Sequence, residues 1–179
     1  DRLPGALLPW FAENARELPW RADREPYHVW LSEIMLQQTR VEAVRGYYTR
    51  FLAALPDIAS LAAADESVLQ KLWEGLGYYT RMRNLQKCAK ILMADYGGQF
   101  PREFASIRAL PGIGDYTAGA VSSICFNLPE PAVDGNVLRV ISRIGEISDP
   151  VDAPATKKAV TEALRAVYPA GRCGDFTQA

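Results

Sequence analysis

Leu110-Pro111-Gly112-Ile113-Gly114 decides how this chain folds. Pro111 stiffens the start of a turn, and Gly112 and Gly114 supply the backbone freedom and close approach of a tight helix-to-helix connection. Phe104–Ala109 before it and Tyr116–Phe126 after it read as apolar helices, and Thr117-Ala118-Gly119-Ala120 allows close packing. The amides of Gly112, Gly114 and the next helix's first turn have no intrahelical partner. They point outward beside the positive end of a helix dipole, which makes an anion site without a basic side chain. The five residues alone also fit an ordinary connector. The flanking apolar helices favour a hairpin that grips a phosphate.

Outward from the hairpin, almost every segment reads as helix. Leu7–Arg16, Val29–Gln38 and Val41–Ala54 precede it, and Asp65-Glu66-Ser67 starts a helix with Val68, Leu69, Leu72 and Trp73 on its inner face. Gly75 and Gly77 end that helix. Thr80–Tyr96 follows with Met82, Leu85, Ala89, Leu92 and Met93 inward, and Gly97-Gly98 caps it. Val137–Ile144 and Thr156–Val167 complete the set. No segment reads as a strand. Two prolines in Pro129-Glu130-Pro131 force an extended boundary.

The 179 residues suffice for one compact domain or two small lobes. No apolar run approaches the roughly 20 residues needed to span a bilayer, so no membrane association is expected. The net charge is −1, which taken alone argues against nucleic acid. The mid-chain cluster Arg40, Arg45, Arg81, Arg83, Lys87 and Lys90 weakens that objection, because a charge-balanced protein can carry one positive face. Cys88, Cys125 and Cys173 are widely spaced and odd in number, so buried thiols and a reducing, cytoplasmic setting are expected. The single histidine, His28, reads as a packed ring beside Tyr27 and Trp30.

A second motif, Val133-Asp134-Gly135-Asn136-Val137, places a lone carboxylate just past the hairpin helix. With it, the stretch Leu110–Val121 resembles the helix-hairpin-helix of the endonuclease III superfamily of DNA glycosylases. Trp30-Leu31-Ser32-Glu33-Ile34-Met35-Leu36-Gln37-Gln38-Thr39 resembles the Glu-bearing helix of its MutY-type adenine glycosylases. Gly75-Leu76-Gly77-Tyr78-Tyr79-Thr80-Arg81-Met82-Arg83-Asn84-Leu85 resembles their DNA-wedging segment, and residues 133–137 match their catalytic Asp loop. Four ordered motifs span nearly the whole chain. The resemblance implies an all-α, two-lobed fold. Residues 22–127 would form a six-helix barrel with the hairpin at about 104–126, and residues 1–21 plus 128–179 a second, incomplete iron-sulfur-side lobe, with a cleft between.

The implied reaction breaks the bond between adenine and its sugar, the adenine lying opposite 8-oxoguanine or guanine in double-stranded DNA. Such a bond breaks through an oxocarbenium-like transition state, which suits two carboxyl groups with different roles. One is buried and protonated near neutral pH. Trp30, Ile34, Met35 and Leu36 surround Glu33 with apolar neighbours, and by resemblance Glu33 protonates adenine N7 and then activates water. Asp134, ionised, would stabilise the cationic sugar and could also cap the helix near Asn136. Taken singly, Glu33 reads as a solvated helix glutamate and Asp134 as a turn residue; the combined motif overturns both. Asn136 and Tyr116 resemble the family's supporting groups. Bifunctional relatives carry a nucleophilic Lys at the place of Tyr116. A phenol forms no imine, so a monofunctional glycosylase is expected.

The target base must leave the stack. Gln38, Thr39, Leu76, Gly77 and Tyr78 resemble the residues that fill and wedge the duplex. Trp20 and Arg21 resemble the wall of the base pocket, Gln178 its edge, and Gly112 and Gly114 the phosphate grip. As in related hairpins, the carbonyls of Arg108, Leu110 and Ile113 would hold a monovalent cation, K+ or Na+. Asp115 departs from the family and is expected to cap the hairpin's second helix. The family's 4Fe–4S cluster uses four cysteines expected beyond Ala179, so the ligands are expected to be absent from this chain, as is the domain that reads 8-oxoguanine. A monomer associated with the bacterial nucleoid is expected. Three alternatives stay open: a bifunctional pyrimidine-lesion glycosylase, a thymine-mismatch glycosylase, and a non-catalytic hairpin module.

Overall fold

The computed structural model describes residues 2–179, and every regular element among them is helical. In chain order these are α1 (Arg2–Asn14), a 3-10 turn (Pro19–Arg21), α2 (Pro26–Leu36), α3 (Val41–Ala54), α4 (Ile58–Ala63), α5 (Glu66–Trp73), α6 (Tyr79–Tyr96), α7 (Phe104–Arg108), α8 (Asp115–Phe126), α9 (Gly135–Ile144), α10 (Pro154–Val167) and α11 (Cys173–Gln178). No helix among the described residues is long and apolar enough to cross a membrane.

Two hydrophobic cores organise them. The larger is built by α2 to α8 around Trp30, Phe51, Trp73 and Ile107, all fully buried. It reaches back to Leu18 and Trp20, because the 3-10 turn sets Trp20 edge-on to Tyr48 with ring centroids 5.5 Å apart. The smaller joins Leu8 of α1, Val133, Leu138 of α9, Val160 and Leu164 of α10 and Phe176 of α11. Val29, Ala120, Ile124 and Ala132 pack at the joint between the two.

The joint explains one glycine. A methyl at Gly119 would meet the Pro131 carbonyl oxygen at 2.3 Å, well inside contact distance. α8 therefore lies directly on the segment that carries the chain to Asp134.

Several expectations are corrected. Val68 and Met93 are 43% and 40% exposed, because helical rotation carries them off the Leu69–Trp73 and Leu85–Ala89–Leu92 stripes. α2 ends at Leu36 rather than Gln38, since Gln38 adopts a left-handed φ of 57°. α4 and α11 were not legible as helices. α4 rests on a capping box in which the Ser60 amide donates to Asp57 at 2.7 Å and the Asp57 amide donates to Ser60 Oγ at 3.2 Å. His28 packs against Tyr27, ring centroids 6.0 Å apart, and its Nδ1 also hydrogen-bonds Asp23 at 2.9 Å. Arg81 adds nothing to a positive face, because it is 8% exposed.

Candidate active site

The cleft between the two cores has a volume of about 570 Å3, the size of a small-molecule site. Glu33, Tyr116, Asp134, Asn136, Trp20, Arg21, Gln38 and Gln178 all line it. Five stretches of the chain, far apart in sequence, thus converge on one hollow.

Glu33 comes from α2, on the strip it shares with Val29, Ser32 and Leu36, which line the same cleft. Burial, the largest cause, pushes its carboxyl up from an ordinary 4.5 to about 7. The Tyr116 phenol against it pulls the other way, the Asp134 carboxylate raises it further, and Arg21 lowers it. Tyr116 stands on the first turn of α8, and burial followed by the negative Glu33 and Asp134 drives its own ionisation far upward. It is a neutral phenol. Arg21 is itself disfavoured as a cation by burial and by Arg16. It lies over the Phe11 ring at 5.5 Å and donates to the Gln178 carbonyl at 3.4 Å.

Asp134 is the N-cap of α9, with Oδ1 accepting from the Val137 amide at 2.8 Å. Asn136 Nδ2 donates to Oδ2 at 3.2 Å. Both oxygens are oriented, and the amide donors of a helix start complement a negative carboxylate.

The remaining residues singled out in the sequence lie outside the cleft lining. Leu76 is 7% exposed and packs in the larger core, so its side chain cannot touch DNA. Gly77 presents its carbonyl to Trp73 Nε1 at 2.9 Å. Tyr78 is 63% exposed and adopts φ 49°, and Gln38 is likewise exposed and left-handed. Two exposed non-glycine residues in that conformation store on the order of 1–3 kcal/mol each. Thr39 lies between their loops, within 3.5 Å of the Arg81 guanidinium.

In the hairpin, Gly112 has φ 76° and a methyl there would sit 2.7 Å from Asn84 Cβ. Gly114 differs from expectation. Its backbone is extended (φ −91°, ψ −179°) and a methyl would meet nothing within 4 Å. Its smallness keeps the outer surface open and serves no internal need. Asp115 does not cap α8, whose N-cap is Gly114. Its carboxylate instead accepts from Arg108 Nε at 2.6 Å, and Arg108 Nη1 donates to the Ile113 carbonyl at 3.1 Å. A guanidinium thus stands against one of the three carbonyls expected to hold a cation, and the Leu110 carbonyl accepts from the Ile113 amide at 3.2 Å.

Sequence reasoning missed several lining residues. Arg16, Ser32 and Thr177 also face the cleft. Ser32 adjoins Glu33 and bonds back to the Val29 carbonyl at 2.7 Å. Thr177 hydrogen-bonds Ser123 at 2.7 Å across the joint, a pairing no local pattern reveals.

The three thiols do not fit an iron-sulfur cluster. Cys88 lies in the larger core, Cys125 packs on its edge, Cys173 starts α11, and none is bonded to another. Burial pushes Cys88 and Cys125 up to about 12, which leaves both as neutral thiols. Among the described residues no group of three or more His, Cys, Asp or Glu side chains could hold a metal ion.

Comparison with known proteins agrees with this geometry. The chain is 44% identical over 183 residues to an adenine DNA glycosylase of Mus musculus, covering 97% of this chain and 35% of that one. It is 41% identical over 174 residues to an adenine DNA glycosylase of Buchnera aphidicola subsp. Baizongia pistaciae, covering 97% and 49%. The chain therefore spans about a third to a half of the length of these relatives. A thermostable thymine-DNA glycosylase superposes with a TM-score of 0.87 at 29% identity, over 97% of this chain and 80% of that one. An endonuclease III–DNA covalent intermediate shares the fold, with a TM-score of 0.79 at 24% identity over 99% and 80%. The family described as HhH-GPD superfamily base excision DNA repair protein matches residues 31–169. That match covers the hairpin and both cleft carboxyl residues, Glu33 and Asp134, and the chain belongs to the HhH-GPD superfamily of base excision DNA repair proteins.

Proposed function

We propose that this chain is the catalytic region of a monofunctional adenine DNA glycosylase that acts on adenine opposite 8-oxoguanine or guanine in double-stranded DNA. The observation that carries this is one cleft holding two unlike carboxyl groups. Glu33 is half-buried in the cleft wall and its carboxyl is raised to about 7, while Asp134 sits on a helix start with both oxygens oriented.

The roles follow from those environments. Glu33 carries a proton near neutral pH and delivers it to the leaving purine, so that the base departs neutral. Asp134 offsets the positive charge that grows on the sugar. The Tyr116 phenol donates toward Glu33 and offers no amine, so no imine links protein and sugar and the product is an abasic site. Once the base has gone, the carboxylate left on Glu33 is placed to take a proton from the attacking water. The hairpin amides hold the backbone of the DNA. Gln38 and Tyr78, exposed on adjacent loops, fill the space from which the base is extruded.

The thymine-DNA glycosylase that superposes on this chain supports a second reading, thymine excision by the same two carboxyl groups. One experiment tests both. The purified chain is incubated in single turnover with duplexes bearing A opposite 8-oxoguanine, A opposite guanine, T opposite guanine, or an oxidised pyrimidine. Strand breaks are measured with and without hot alkali. Adenine release, with breaks appearing only after alkali, is the expected result. Release of thymine alone selects the second reading, and breaks without alkali overturn the monofunctional one.

A further inference from the structure

We propose that Arg81 is a positioning residue that ties the two wedge loops to each other and to the helix carrying Glu33. This rests on the base-excision reading above.

The Arg81 side chain rises from the first turn of α6 and points inward. Its Nη1 lies 3.0 Å from the Ile34 carbonyl, 3.0 Å from that of Met35 and 2.6 Å from that of Gln37. Its Nη2 lies 3.2 Å from the carbonyls of Leu76 and Gly77. One guanidinium therefore binds the end of α2 with one nitrogen and the turn before Tyr78 with the other. It also lies over the rings of Trp73 and Tyr78, 5.4 Å from each centroid. Carbonyl dipoles, including those at the negative end of α2, are what meet its charge.

Three features make this a device of the site and not a routine core contact. Both anchored loops carry a left-handed residue, Gln38 and Tyr78, and those strained, exposed residues are the ones placed to enter DNA. The α2 carbonyls it holds belong to Ile34 and Met35, next to Glu33 in sequence, so insertion of the wedge and placement of the acid share one anchor. A planar fork spans two loops, which the point charge of a lysine cannot do. Arg81 is too buried to touch DNA, and acts through the groups it holds.

The test compares a duplex carrying A opposite 8-oxoguanine with the same duplex carrying A opposite an abasic-site analogue, where the adenine is already unpaired. R81K should slow single-turnover excision at least tenfold on the first and leave it within about threefold on the second. Tyr78→Ala should show the same split, and the double variant should be no slower than the slower single. The salt slope of binding should be unchanged, since no phosphate contact is lost. Equal losses on both substrates, or additive losses in the double variant, overturn the proposal. If the wild-type chain releases no adenine from either duplex, the base-excision reading fails on its own. Fluorescence of 2-aminopurine at the target position then decides for Arg81: wild type should raise it on binding and R81K should not, and equal enhancement overturns the role. Should R81K not fold, hydrogen exchange in the wild type replaces it. The Thr39 and Leu76 amides, each hydrogen-bonded within its own loop, should open with one common free energy. Independent opening overturns the coupling.

Discussion

Asp134 Oδ1 accepts the Val137 amide at 2.8 Å, so the carboxylate that faces the cleft is also the cap of the helix it begins. Structure and chemistry are superimposed on one side chain, and they can be separated. Asn caps a helix as well as Asp, yet carries no charge to set against a developing cation. Asp134→Asn should lower single-turnover excision by at least a hundredfold with little change in melting temperature. Asp134→Ala should lose excision and, in addition, about 1 kcal/mol of stability. Undiminished excision in the Asn variant would leave Asp134 with its capping role alone.

Glu33→Gln keeps size and hydrogen bonding but delivers no proton. Excision should fall by roughly 10²–10⁴ while affinity for duplex DNA is kept. With Glu33 as the proposed acid, the protonated form is the active one, so the excision rate should hold below about pH 7 and drop about tenfold per unit above it, following the raised Glu33 carboxyl. A single-turnover pH profile on adenine opposite 8-oxoguanine measures this. A rate that rises with pH through 7 would remove the acid role.

The same carboxyl predicts a trade between stability and activity. Glu33 holds its proton more tightly folded than unfolded, with a value of about 7 against an ordinary 4.5. Its contribution to stability is therefore complete below about pH 4.5 and is lost as pH rises through about 7. Gln at this position has no such dependence. Glu33→Gln should be more stable than wild type at pH 8, by up to about 3 kcal/mol, and should converge with it near pH 4.5. Denaturant melts at the two pH values check this, and a variant less stable at pH 8 would mean that Glu33 is not held against its ionisation.

The parts of this site that the sequence discloses are those whose residues stand together in it. Glu33 among Trp30, Ile34 and Met35, Asp134 before Gly135, and Tyr116 behind the hairpin each carry their context in adjacent letters. What is not legible depends on distant partners. Arg81 looks like one more cation in a basic run, and only the fold shows five carbonyls, from the end of α2 and from two loops, around it. Asp115 looks like a cap because it follows Gly114, and only the fold turns it toward Arg108. Thr177 reaches the cleft because α11 packs on α8, where a methyl at Gly174 would meet Ile124 Cα at 2.9 Å. The helix α4 escaped because six residues rich in alanine carry almost no periodic signal, and its start is fixed by a reciprocal cap.

Tyr116→Lys should add strand cleavage to whatever excision remains. The position faces Glu33 and Asp134 in the same cleft, and an amine there can attack the sugar and form an imine. Borohydride should then trap a covalent protein–DNA adduct that wild type does not give. Excision without any adduct would place the reacting sugar carbon out of reach of position 116.

The hairpin gives the sharpest contrast between neighbouring glycines. Gly112 needs its left-handed backbone and its missing Cβ, because Asn84 lies 2.7 Å from where that atom would be. Gly114 needs neither, being extended with open space around it. Gly112→Ala should therefore destabilise the fold, by at least about 1 kcal/mol, with DNA affinity falling as a consequence. Gly114→Val should cost no more stability than a poorer N-cap costs and weaken binding to every duplex alike, since an amide grip on phosphate carries no base information. Asp115 adds the electrostatic side. It holds Arg108 in an ion pair that competes with an arriving phosphate. Asp115→Asn frees that guanidinium, and binding should tighten and its salt dependence steepen by up to about one unit of log–log slope. Thermal melts and anisotropy titrations over a salt series measure all three. Unchanged affinity in both Gly114→Val and Asp115→Asn would reduce the hairpin to a connector and move the DNA to another face.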